Sequence, residues 1–173
     1  MAHRDQSPEE EKVNVYTQGF GFLLGLGLLP LLLFKLETHL MLWCVAVFGI
    51  GFLMCYLSST LYHWATDPKL KKRLQIWDHI SIFILIGGTY MPVVFRYLDY
   101  GWAVVFMVTM WSIILAGSVL KLYFTGKYMR LSVVLYLLLG WMAVFIIKPL
   151  MAVMPLYVFW WILAGGLSYS IGV

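Results

Sequence analysis

Charge is what this 173-residue chain has least of: Asp, Glu, Lys and Arg make up 12% of it, against 62% hydrophobic residues. Soluble domains carry roughly 25% charged and 45–50% apolar residues. A domain this small has too much surface to hide the surplus in a core. An ordinary soluble protein is therefore excluded, and lipid is left as the solvent. Cysteine is scarce as well. Cys44 and Cys55 fall within one apolar run, which excludes a disulfide framework and a cysteine-based metal spacing. The first fifteen residues are polar and acidic, with Glu9, Glu10 and Glu11. They lack the basic start, short apolar stretch and small-residue cleavage site of a signal peptide. No internal repeat or low-complexity segment is present. The net charge of +4 does not point to nucleic acid, because its basic residues gather in short links, where a membrane protein keeps them.

What the chain does have is length in its apolar runs. A helix needs about 20 mostly apolar residues to cross the hydrocarbon core. Six stretches qualify, over residues 16–34, 40–64, 76–95, 102–124, 131–147 and 155–173. The expected fold is an all-α integral membrane domain, a bundle of six transmembrane helices behind a tail of residues 1–15. Basic residues set the orientation. With alternating sides, Arg4, Lys12, Lys69, Lys71, Lys72, Arg73, Lys121, Lys127 and Arg130 share one side, and Lys35, Arg96 and Lys148 the other. The richer side is expected to be cytoplasmic, and with it the N-terminus. The last stretch closes on Gly172-Val173 with no basic residue, Trp or Tyr beyond it. Last helices usually carry such interfacial anchors, so the bundle reads as one cut after its sixth helix.

Ionisable side chains in membrane spans are costly and point to function. Ser58-Ser59-Thr60-Leu61-Tyr62-His63-Trp64 closes the second stretch, and Asp78-His79 opens the third beyond the basic link 69–73. Ser59 and His63, four apart, share a helix face. The link returns the chain to the same surface, so His63 and Asp78 stand at similar depth. An imidazole beside a carboxylate can build a metal ligand or a general base. Plainer roles fit the same residues: an interfacial histidine, an aspartate capping the third helix, a serine bonded back to its own helix. His79 points about 100° away from Asp78, and Tyr90-Met91-Pro92 reads as a kink. From the residues alone the result is a polar cluster near the cytoplasmic face.

These residues carry a resemblance. Ser59-Thr60-Leu61-Tyr62-His63, then Asp78-His79-Ile80, then Leu85-Ile86-Gly87-Gly88-Thr89-Tyr90-Met91-Pro92 resemble the haemolysin III-like bacterial membrane proteins of the progestin and adiponectin-Q receptor superfamily. The likeness extends to Gly140-Trp141 and to the closing segment from Gly166 to Val173, and so covers nearly all of the chain from about Glu10. It implies seven helices, a cytoplasmic N-terminus in a bacterial plasma membrane, and a zinc site near the cytoplasmic face. His63 would be one ligand, with Ser59 beside it and Asp78 holding the metal-bound water. The family's other two ligands come from a His-x-x-x-His on a seventh helix, which this sequence does not contain. A second departure lies in Asn14-Val15-Tyr16-Thr17-Gln18, where the family often ends on histidine. Gln18 cannot replace an ionisable imidazole.

The resemblance implies a zinc-dependent membrane hydrolase, ceramidase-like, with Asp78 and Ser59 as catalytic residues, His63 as metal ligand and a lipid amide as substrate. A catalytic zinc takes three protein ligands. Of these the pattern supplies His63; His79 diverges from Asp78 on the helix, His39 falls in the opposite link and His3 in the tail. Zinc is thus expected to bind weakly or not at all to this chain alone. The competing expectation is a non-enzymatic regulator of lipid state or membrane energetics. Membrane lysis ranks last, since nothing resembles a pore lined by rings of charge. Membrane lipids are the expected partners; nucleic acid is not.

Overall fold

A computed structural model describes residues 6–124 and 129–172. Residues 1–5 of the expected tail, including Arg4 and His3, lie outside the described residues, as do Lys127, the Arg130 side chain and Val173. The described chain is helical, without strands. Its elements are α1 (Pro8–Leu33), α2 (His39–Trp64), α3 (Pro68–Tyr97), α4 (Tyr100–Phe124), α5 (Met129–Gly140), a 3-10 segment (Met142–Ile146), α6 (Ile147–Val153) and α7 (Leu156–Gly172). Helices α1 to α4 and the stretch Leu131–Val153 are long and apolar enough to cross a membrane. Apolar α7, at 17 residues, meets the lower limit of about 17 for a span. Large apolar side chains such as Leu31, Trp43, Ile50, Leu115 and Trp161 lie exposed around the bundle, as expected of surfaces that face lipid rather than water.

Two helices begin earlier than hydropathy suggests, and both starts are written in capping residues. Ser7 accepts from the Glu10 N–H at 3.2 Å, while Glu10 accepts from the Ser7 N–H at 2.8 Å. This reciprocal box, with Pro8 in the first turn, starts α1 eight residues ahead of the expected span. The segment expected as a tail is thus helical from Pro8. In the same way Asp67 accepts from the Leu70 N–H at 2.7 Å ahead of Pro68. The basic residues 69–73 are therefore the first turns of α3 rather than a loop. Residues 65–67 alone join α2 to α3, which sets the two helices antiparallel and side by side.

That pairing brings the two backbones into direct contact. A methyl group on Gly88 would stand 2.9 Å from the Phe48 Cα, and one on Gly51 would stand 3.1 Å from the Ile84 carbonyl oxygen. Only hydrogen fits where two backbones meet this closely, the small-residue device of membrane helix pairs. On its other side α3 packs into the main core with α4 and α5: Phe83, Ile86 and Val94 meet Ala103, Phe106, Met110 and Ile114, closed by Tyr136 and Leu139.

The fifth crossing is not one helix. Pro149 lacks an N–H and its ring clashes with the carbonyl four residues back, at Phe145. The α-helix accordingly stops at Gly140, passes through the 3-10 turn and restarts at Ile147. Breaks inside a membrane free backbone groups that water cannot satisfy. Tyr90 of α3 takes up two of them, its hydroxyl donating to the Gly140 carbonyl at 2.6 Å and accepting from the Ala143 N–H at 3.1 Å. Trp141 adds a bond from its indole N–H to the Ser170 hydroxyl of α7, at 2.9 Å.

Candidate functional site

The α2–α3 pair brings Ser59, His63 and Asp78 together. Ser59 and His63 occupy one face of the last turns of α2, both turned inward, with Ser59 buried. Asp78 stands about three turns into α3, opposite them. Its carboxylate faces the Ser59 hydroxyl, and it lies close enough to His63 for the two to interact electrostatically. A capping role for Asp78 is removed by this placement, because Asp67 is the cap and Asp78 lies well inside the helix. Nor is Ser59 the serine tied to its own helix: that is Ser58, bonded to the Cys55 carbonyl at 3.2 Å and to the Ser81 hydroxyl at 3.0 Å. Ser81 in turn bonds the Asp78 carbonyl at 2.7 Å, which stitches the two helices just below the cluster. His79 turns away from Asp78, and its backbone carbonyl accepts from Tyr136 at 2.9 Å.

One member of the cluster was not visible in the sequence. Glu11 of α1 reaches across to α2, where its carboxylate lies 2.6 Å from the His63 Nδ1. Its second oxygen accepts from the Lys71 ammonium of α3, also at 2.6 Å. Lys71 lies 5.2 Å from the centre of the Tyr62 ring, and the Tyr62 and His63 rings are 4.7 Å apart. Glu11 precedes the apolar part of α1. Burial pushes its carboxyl up, but hydrogen bonds and charge from Lys71 and His63 outweigh that and hold the group below its ordinary value. The signal that could have revealed Glu11 is the capping box: once a helix starts at Pro8, Glu11, Asn14 and Gln18 fall at three- and four-residue spacing on one face. All three are half-buried.

The donor set shows what the described residues could offer a metal. His63 is the one imidazole of the cluster, its Nδ1 is engaged by Glu11, and Asp78 faces it across the helix pair. Among the described residues no group of three or more His, Cys, Asp or Glu side chains stands close enough to hold a metal ion. A catalytic zinc takes three protein ligands and keeps an open position. The described residues thus fit one ligand position and the carboxylate beside it, and do not complete the site.

Residues 6–173 match the family model described as haemolysin-III related. The hemolysin-3 homolog of Bacillus subtilis (strain 168) is 36% identical over 167 residues, covering 95% of this chain and 78% of the relative. Hemolysin-3 of Bacillus cereus is 32% identical over 177 residues, covering 99% of this chain and 80% of that protein. No solved structure matches.

Proposed function

Since the chain is an integral membrane protein and belongs to the haemolysin-III-related family, we propose that its polar cluster is part of a zinc-dependent site for hydrolysing lipid amides. The observation that carries this reading is the convergence of Ser59, His63 and Asp78 at one end of the α2–α3 pair, beside lipid. His63 would hold the metal through Nε2, because Nδ1 faces Glu11. A zinc ion held there would act as a Lewis acid and lower the pKa of a coordinated water to about 7. Asp78 would accept the proton at its carboxylate, and Ser59, buried beside that carboxylate, would help to aim it. The remaining ligands, on the family resemblance, belong to a seventh helix.

Zinc content tests the ligand assignment. The 173-residue chain, purified in detergent, is expected to carry well under one zinc per molecule. Joined to a seventh helix that supplies two histidines, it should carry about one, and His63→Ala should remove it, because two ligands hold zinc poorly. Full occupancy in the chain as it stands would mean that other residues bind the metal.

The same reading puts the cluster on the cytoplasmic side of a bacterial plasma membrane, supported by the distribution of Lys and Arg. A reporter fused after Lys72 should be cytoplasmic and one after Asp99 external. The reverse pattern would sink the orientation.

A second reading, a non-enzymatic regulator of lipid state or membrane energetics, is favoured by one contact. The Glu11–His63–Lys71 cluster already ties α1, α2 and α3 together, a structural role that is complete without metal.

A further inference from the structure

We infer that Glu11 is a positioning residue for His63, fixing the imidazole as its Nδ1–H tautomer and leaving the Nε2 lone pair as the ring's free donor. An ionised carboxylate only accepts hydrogen bonds, and a neutral imidazole carries one N–H and one lone pair. With the Glu11 carboxylate 2.6 Å from Nδ1, the proton must sit on Nδ1. In the neutral ring the lone pair is then on Nε2.

Three further contacts keep this arrangement from relaxing. Lys71 occupies the other carboxylate oxygen at 2.6 Å, so Glu11 is held ionised and cannot turn its second oxygen elsewhere without breaking an ion pair. The His63 ring packs against Tyr62 at 4.7 Å, its side chain only 10% exposed, and Gln75 Nε2 reaches the Tyr62 hydroxyl at 3.5 Å. Three helices thus converge on one ring nitrogen. A carboxylate on the far nitrogen of a metal-binding histidine fixes its tautomer and orientation and raises its basicity. The use of Nε2 as a ligand rests on the zinc reading above; the tautomer itself does not.

The test is nitrogen NMR of the metal-free 173-residue chain in detergent with 15N-labelled histidine, recorded at alkaline pH. The His63 signals are identified by their loss in His63→Gln. The wild-type chain should show a protonated Nδ1 and a bare Nε2. Glu11→Gln keeps the size and reach of the side chain, but its amide can donate as well as accept, so a mixture of tautomers should appear. Glu11→Ala, if it folds, should make Nε2–H the major form. Lys71→Met removes the ion pair but leaves Glu11 on the ring, and should retain Nδ1–H. The proposal is overturned if the wild-type ring carries its proton on Nε2, or if Glu11→Gln leaves the spectrum unchanged. It also falls if Lys71→Met shifts the tautomer as far as Glu11→Gln does, since the cluster would then be a clamp with no hold on the ring. No zinc is present, so failure here leaves the hydrolase reading standing, and failure of zinc binding leaves this result standing.

Discussion

Replacing Asp78 with asparagine is expected to lower lipid-amide turnover by about 10²–10⁴-fold, the usual contribution of a positioned general base, while leaving the fold in place. The substitution is informative because of where Asp78 stands. It lies inside α3 with Asp67 holding the cap, so there is no capping bond for Asn to preserve or lose. The amide has the size of the carboxylate, and the Ser58–Ser81 bond still joins α2 to α3. Only the negative charge and the capacity to take a proton disappear. The assay uses the chain joined to a seventh helix, with amide lipids in micelles and fatty acid release measured beside zinc content. Retained zinc with lost turnover is the expected outcome. Unchanged turnover would defeat the role given to Asp78, and a parent protein inactive on every lipid amide offered would favour the regulator.

The largest expected effect on stability comes from Gly88→Ala. A β-carbon there would meet the Phe48 Cα at 2.9 Å, and a backbone cannot rotate away as a side chain can. The two helices must part, giving up contacts on both sides of the crossing. Overpacking of this kind costs about 1–3 kcal/mol, more than the roughly 1 kcal/mol that alanine gains over glycine in helix propensity. Gly27 in α1 is the matched control, since nothing lies within 4 Å of a methyl group added there. Gly27→Ala should be neutral or slightly stabilising in thermal unfolding in detergent, and Gly88→Ala clearly destabilised. Equal melting of the two variants would show that α2 and α3 do not touch as described. The same parting would widen the gap between Ser59 and Asp78, so catalytic and packing effects are linked at this interface.

Much of this arrangement was legible in the residues, and the parts that were not have identifiable physical causes. Hydropathy locates stretches that must leave water, so it found the crossings and drew notice to the polar residues at their ends, Ser59, His63 and Asp78. It says nothing of helix that continues beyond the lipid. Glu11 and Lys71 sit in such extensions, where a charged run reads as a solvated tail or a loop. Ser7 with Glu10, and Asp67 with Pro68, carried the missing information as hydrogen-bonding capacity rather than as hydrophobicity. The divided fifth crossing was hidden for the opposite reason: residues 131–147 are uncharged and mostly apolar, and the interruption comes from Pro149, beyond the limit that hydropathy set.

That division has a bearing on how the protein is made. A continuous apolar helix satisfies its own backbone and can enter the bilayer as an independent unit. The fifth segment cannot, because the Gly140 carbonyl and the Ala143 N–H find their partner in Tyr90, fifty residues earlier in the chain. An unsatisfied backbone group in hydrocarbon costs several kcal/mol. Biogenesis is therefore ordered. The third helix must already be in the membrane, with its phenol turned inward, before the broken segment can take its final shape.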